Sequence, residues 1–270
     1  MEKTMKGLKT PNTVQSLTLE LENIGVNKGM VILVHSSLSS IGWVNGGEVA
    51  VIQALLNVLS EDGTLVMPAH SAVLSDPAHW EAPPVPKEWW QTIRDTMPAF
   101  HKAYTPTFGI GKIPEIFRSF PGVIRSEHPD VSFCAWGKHK EKIVHNHELE
   151  NGLGEGSPLQ QLYDMDAHVL LLGAGYDGNT CFHLAEYKIS KKKVIKKGAP
   201  LEIDGNSKWQ EFVDIETREE LFESIGEAFE KNNQVILGKI GKAQTRLFKL
   251  REGVDFAQTW LENYDKTSNK

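Results

Sequence analysis

Cysteine is scarce: only Cys134 and Cys181 occur in 270 residues. Two thiols far apart in sequence make neither a disulfide framework nor a zinc-binding spacing, and they fit a reducing compartment. Long apolar runs are missing too. No window of about eighteen uncharged apolar residues exists to span a bilayer, and the basic start MEKTMKGLKT is followed by no apolar signal-peptide core. A cytoplasmic protein without membrane contact is the expectation. Positive charge is in deficit, with 29 Lys plus Arg against 35 Asp plus Glu and a formal net charge of −6. Such a field opposes nucleic acid and suits a cationic ligand. The catalytic signatures GxSxG and HExxH are absent as well, so neither a nucleophile elbow nor a zinc-protease helix is encoded.

What is present reads as an ordinary globular chain, 40% hydrophobic and 24% charged, long enough for one large domain or two small ones. Val14, Leu17, Leu21 and Ile24 recur at helical spacing and predict a helix over 12–24 that stops at Gly25. The β-branched run from Val31 to Ser36 predicts a strand, the stretch after Gly47 a helix, and GTLVMPA a second strand. Strand, glycine loop, helix and strand in that order make a βαβ unit with parallel pairing. The fold class is therefore α/β. Further along, the sequence predicts a short helix at 113–120, a strand at 131–136, a helix opening at Ser157 and Pro158, and a buried strand in HVLLLGAG. CFHLAEYK reads as helical. The polar KISKKKVIKKGAPLEI resembles an antiparallel arm, WQEFVDI a strand, EELFESIGEAFEKN an amphipathic helix, QVILGKIGKAQTRLFKL a hairpin, and VDFAQTWLENY a closing helix. No repeat or linker divides the chain, so residues 1–270 are expected to form a single domain. Within it, residues 75–108 break the pattern with a proline-rich excursion carrying Trp80, Trp89 and Trp90. It reads either as packing cover or as a lid or binding wall.

A parallel sheet places its site beyond the carboxyl ends of its strands. Three loops fall there: HSSLSSIGWVNGG, PAHSAVL and GAGYDGNTCFH. The first offers the hydroxyls of Ser36, Ser37, Ser39 and Ser40, with Gly42, Gly46 and Gly47 allowing close backbone approach just before a helix. Phosphate groups would fit, although a plain turn and helix start accounts for the same residues. In the third loop, His183 and Glu186 are three apart and share a helical face. A neutral imidazole there can take a proton from an attacking amine while the carboxylate fixes its tautomer; the bland alternative is a structural histidine beside a surface glutamate. No metal is expected. His145, His147, Glu148 and the distant His128 have ligand chemistry but no closing spacing, and a wet surface is the simpler reading. Cys134 reads as a small buried hydrophobe. Cys181 would make an acyl-carrying thiol only if residues two apart on a helix faced each other, which they do not.

The segments VHSSLSSIGWVNGGEVAVIQAL, DGTLVMPAH, TPTFGIGKIPEIFR, RSEHPDVSFCAWG and GEGSPLQQLYDMDAHVLLLGAGYDGNTCFHLAEY together resemble the aminoglycoside N3-acetyltransferase family over roughly residues 13–190. The resemblance implies a three-layer α/β sandwich around a largely parallel central sheet, with a smaller antiparallel C-terminal elaboration. It implies acetyl-CoA as donor co-substrate, with no metal, and the 3-amino group of a 2-deoxystreptamine aminoglycoside as acceptor. Carried over, His35, Ser36, Ser37, Leu38, Gly46 and Gly47 would contact CoA, and Thr107, Phe108 and Gly109 its pantetheine arm. His183 would be the base, Glu186 its orienting carboxylate, and Thr180 or nearby backbone amides the oxyanion donors. Asp76, Glu81, Glu155 and Asp177 are candidates to pair with the acceptor's ammonium groups. Two alternatives stay open: the same chemistry on another aminosugar or amine metabolite, and a non-catalytic CoA-binding module. An acceptor screen separates them. A homodimer is a further expectation, and no nucleic-acid partner is expected.

Overall fold

The structure is a computed structural model that describes residues 5, 7, 8, 10–81 and 83–268. In chain order its elements are α1 (Val14–Asn23), β1 (Val31–Ser36), α2 (Leu38–Ile41), α3 (Gly47–Leu59), β2 (Thr64–Pro68), α4 (Trp90–Thr96), α5 (Lys112–Phe117), β3 (Ile124–Arg125), β4 (Phe133–Gly137), α6 (Lys140–Val144), α7 (Pro158–Asp164), β5 (His168–Leu172), α8 (Cys181–Lys188), β6 (Val194–Ile203), β7 (Asn206–Ile215), α9 (Phe222–Asn232), β8 (Ile236–Ile240), β9 (Ala243–Lys249) and α10 (Leu250–Ser268). Local chemistry sets several of these limits. Thr13 and Ser16 form a reciprocal capping box at the start of α1. Ser157 caps α7 by accepting from the Leu159 amide at 3.2 Å, with Pro158 in the first turn, where its missing N–H costs nothing.

Seven strands form one sheet in the order β3-β4-β2-β1-β5-β9-β8. Its centre is parallel, β1 pairing with β2 through Leu33↔Val66 and with β5 through His35↔Leu171. The outer pairings are antiparallel. The C-terminal elaboration therefore divides in two. β8 and β9 extend the main sheet through β9 on β5, whereas β6 and β7 make a separate two-stranded antiparallel sheet.

Alternation along the central strands explains the three layers. Leu33, Val66, Val169 and Leu171 face a core completed by α6 to α10. Ile32, Val34, Leu65, Met67, Leu170 and Leu172 face a second core made with α1, α3 and α5. Because both faces are covered, the central strands read as unbroken apolar runs rather than alternating ones. Burying a single such Leu or Ile contributes about 1.5–3 kcal/mol, so the sheet end that carries the site is held by two cores. The 75–108 excursion becomes short turns and α4, and it lies on the β6–β7 hairpin. Phe100 N donates to Pro200 O at 3.1 Å, Ser207 Oγ to Met97 O at 2.7 Å, and the Arg94 guanidinium sits 6.0 Å from the Trp209 ring. Among the described residues no helix is long and apolar enough to cross a membrane.

Candidate active site

A cleft of about 1030 Å³ opens at the carboxyl ends of β1, β2 and β5, lined by residues from all three following loops. This is where parallel strands leave free backbone ends and loop side chains converge. One wall comes from Ser36, Ser37, Leu38, Gly42, Trp43 and Gly47. Ser37 Oγ accepts from Ser40 Oγ at 2.9 Å, whereas Ser36 Oγ is buried with no partner. α3 begins here with no side-chain cap, because Gly46 at φ +90° and Gly47 at φ +55° carry the chain into the helix through the left-handed region. A Cβ on Gly47 would meet nothing within 4 Å. The Gly47 amide donates to Val44 O at 3.1 Å, so the turn itself, and no side chain, closes the helix start.

The second wall is α8 with the strand end of β1. His35 lies on the same sheet face as Leu33 and meets Thr180, whose Oγ1 is 3.2 Å from Nε2 and 3.3 Å from Nδ1. Burial, and then the nearby His183, lowers the His35 pKa to about 3, so its ring is neutral. His183 and Glu186 are brought together as the helical spacing predicts, with Nδ1 and Oε2 2.7 Å apart. A carboxylate only accepts, so Nδ1 carries the hydrogen, and in the neutral ring Nε2 is the nitrogen that holds the lone pair. Glu186 is 1% exposed, and its other oxygen accepts from Arg218 N at 2.6 Å. The histidine ring is steadied by Phe222, edge-on at 4.8 Å between centroids. Its Nε2 lies 3.8 Å from Glu219 Oε1 at the cleft mouth.

The remaining predicted residues divide. Gly109 lines the cleft; Thr107 and Phe108 do not. Thr107 instead spends both its amide and its hydroxyl on Glu115 Oε2, each at 2.8 Å. Burial works against that carboxylate, but hydrogen bonds from Arg118 and Thr107 still bring its pKa down to about 2. Phe108 is exposed, and its amide donates to His70 O at 2.8 Å. Of the acidic candidates, Asp177 lines the cleft. Asp76 is held elsewhere, paired with Arg94 at 2.7 Å and capping the turn at Ala78. Glu81 and Glu155 are exposed outside the lining.

The histidine cluster is not the wet surface its neighbours in sequence predict. His147 accepts from Ser126 Oγ at 2.8 Å and donates to Gly152 O at 2.7 Å. His128 is 1% exposed and accepts from the amides of Asp130 and Val131. Only His145 and Glu148 face solvent. Among the described residues no group of three or more His, Cys, Asp or Glu is placed to hold a metal ion. Cys181 is fully buried, and burial raises its thiol to about 12.

Sequence reasoning missed His70, Trp43, Lys112 and Glu219, all cleft-lining. His70 had a usable signal, since it stands in the loop PAHSAVL just beyond a parallel strand. Glu219 had none, because it reaches the cleft from the segment just before α9.

The family described as aminoglycoside 3-N-acetyltransferase matches residues 33–262. The SPbeta prophage-derived aminoglycoside N(3')-acetyltransferase-like protein YokD of Bacillus subtilis is 55% identical over 271 residues, covering 100% of both chains. Its crystal structure superposes with a TM-score of 0.97, covering 98% of this chain and 99% of that one. Aminoglycoside N(3)-acetyltransferase VII of Streptomyces paromomycinus is 33% identical, covering 93% of this chain and 92% of its own. A structure described as AAC-IIIb binary with CoASH has a TM-score of 0.84 at 30% identity, covering 94% of this chain and 98% of that one.

Proposed function

Because the chain belongs to the aminoglycoside 3-N-acetyltransferase family, we propose that it moves the acetyl group of acetyl-CoA to the 3-amino group of a 2-deoxystreptamine aminoglycoside, with His183 as the base that Glu186 orients. The observation that carries this is the His183 Nδ1 to Glu186 Oε2 bond of 2.7 Å, which leaves Nε2 as the lone-pair nitrogen of a cleft-lining ring. The donor's phosphates fit the opposite wall. Ser36 offers an unpartnered buried hydroxyl, α3 a start with no side-chain cap, and Lys112 a cation. The resemblance of the fold to a CoASH-bound acetyltransferase agrees with that assignment.

The reaction needs a neutral amine aimed at the thioester carbon. His183 Nε2 accepts the amine proton as the nitrogen attacks, and the imidazolium so formed is stabilised by Glu186. The carbonyl pair moves onto oxygen, then returns to expel the thiolate, which takes the proton from His183. Holding both substrates in one cleft makes the attack effectively unimolecular. Thr180 can assist. If His35, neutral, donates its N–H to Thr180 Oγ1, the hydroxyl hydrogen of Thr180 is free to meet the oxyanion. A buried, protonated Cys181 leaves no thiolate for a covalent route.

A smaller amine is the second reading, favoured by the scarcity of carboxylates: Asp177 and Glu219 are the acidic residues of the cleft lining. CoA thiol release, measured with aminoglycosides and with simple aminosugars as acceptors, separates the two. In either case His183→Ala should lower kcat by about 10²–10⁴, and Glu186→Ala by less, since the proton acceptor remains. Equal turnover by wild type and His183→Ala would refute the base role. Falling pH should depress kcat/KM in the wild type, because protonation removes the lone pair of the attacking amine.

A further inference from the structure

His70 lies just beyond β2, lining the same cleft as His183, His35 and Thr180. Its Nε2 is buried and has no hydrogen-bond partner. Buried polar atoms in native proteins are nearly always paired, so an orphan nitrogen on a cleft-lining ring calls for a partner that the substrate can bring. The ring does not drift. It meets Phe133 edge-on at 5.5 Å, and the backbone on either side is clamped. Ala69 N donates to Ser132 O and Ser71 N to Asp130 O, both at 2.7 Å. Arg125, 6% exposed and with no carboxylate among its hydrogen-bond partners, donates to Ala69 O at 2.6 Å, Ser71 Oγ at 2.8 Å, Thr105 O at 2.5 Å and Ser132 Oγ at 2.9 Å. A buried arginine that spends two of its four hydrogen bonds on the residues on either side of one histidine is a costly device. It makes sense if that histidine must hold a fixed position.

We propose that His70 is a further catalytic residue, whose Nε2–H donates a hydrogen bond to the acetyl carbonyl oxygen as the thioester becomes tetrahedral, with Arg125 as its positioning residue. This rests on the acetyl-transfer reading above. The amine nitrogen bonds to the carbonyl carbon and the π pair moves to oxygen, where His70 and Thr180 meet it. The pair then returns, the C–S bond breaks, and the proton held by His183 passes to the sulfur. His70 neither gains nor loses a proton. Its surroundings keep it neutral: burial first, then His183, His35, His147 and Arg125, hold its pKa down to about 3. A neutral imidazole can donate without competing for the proton that His183 must take.

The test compares wild type, His70→Leu, His70→Gln and His183→Ala in steady-state kinetics across pH. It adds the ¹³C shift of the labelled carbonyl in a ketone analogue of acetyl-CoA bound to each. His70→Leu should lose about 100-fold in kcat, in line with removal of one oxyanion donor. KM for donor and acceptor should stay within about threefold, and the acid limb of the pH profile should keep its shape, as expected of a group that does not titrate in that range. The bound carbonyl should move downfield in wild type, less so in His70→Leu, and His70→Gln, which restores an N–H at a similar reach, should recover part of both effects. An unchanged kcat in His70→Leu, a loss confined to acceptor KM, a vanished acid limb, or a carbonyl shift indifferent to residue 70 would each overturn the proposal. Failure of the acetyl-transfer reading looks different: wild type and His183→Ala alike would release no thiol.

Discussion

Cys181 stands two residues before His183 on α8, close enough in sequence to invite a thiol relay and wrongly directed in space to provide one. It is 0% exposed, and burial raises its pKa to about 12, against which a hydrogen bond with Asn179 works only partly. Thiolate chemistry at neutral pH needs the opposite environment, exposed and electropositive. Cys181→Ala should therefore keep kcat within about threefold of wild type, and iodoacetamide should leave the native enzyme active. Rapid inactivation by alkylation, with protection by acetyl-CoA, would contradict this. The same contrast explains what was legible residue by residue. His183 and Glu186 could be paired from spacing alone, because i and i+3 on a helix share a face. Asp76 and Asp177 could not be told apart, because a carboxylate's role depends on which cation reaches it, and Arg94 lies eighteen residues away in sequence from Asp76.

At the scale of elements, α9 acts on the site through Tyr176. Gly226 on α9 packs against that ring so closely that a Cβ would come within 1.9 Å of Tyr176 Cγ. The ring has little room to give. Arg246 lies 5.0 Å from its centroid, its hydroxyl donates to Glu230 at 3.2 Å, and its amide donates to Glu223 at 3.1 Å. Gly226→Ala should cost about 1–3 kcal/mol by overpacking. At roughly 2–4 °C per kcal/mol for a chain of this size, the melting temperature should fall by several degrees. Activity should fall with it, because Tyr176 opens the turn that leads to Thr180. A melting temperature equal to wild type would show that the ring moves freely. Elements of this kind were readable in type but not in partnership. The β8–β9 hairpin was visible as a pair, yet its docking on β5 through Leu170↔Leu247 is a long-range match that local periodicity does not encode. The 75–108 excursion was equally opaque. Its tryptophans and prolines marked it as ordered, but only the Met97 to Ser207 and Phe100 to Pro200 bonds show that the β6–β7 hairpin carries it.

For the whole molecule, acid should destabilise, and the reason is a set of histidines held neutral. Burial leads in every case, bringing His35 and His70 to about 3, His147 to about 4 and His128 well below 6.5. On unfolding each returns to an ordinary value near 6.5, so between about pH 6.5 and 4 the unfolded chain binds protons that the native one refuses. Stability then falls with falling pH, by up to about 1.4 kcal/mol per pH unit for each histidine titrating only in the unfolded state. Asp130 works against this, since burial raises its carboxyl pKa and its native form keeps a proton longer. Glu115, lowered from 4.5 to about 2, adds a loss only at lower pH, where the unfolded chain takes a proton that the native carboxylate still refuses. Net charge predicts the reverse sign. Acidification first discharges a protein that starts at −6, which relieves self-repulsion. Single surface charges are screened within about 8–10 Å at ordinary ionic strength, whereas the four histidines act together and without screening, so the buried groups should win. Urea midpoints at pH 7.5, 6.5, 5.5 and 4.5 decide between them: a steady decline below pH 6.5 is expected, and a flat or rising midpoint would mean that the histidine rings are hydrated in the native state. Replacing His147, which lies outside the cleft lining, with Gln should make the decline shallower without altering the pH dependence of turnover.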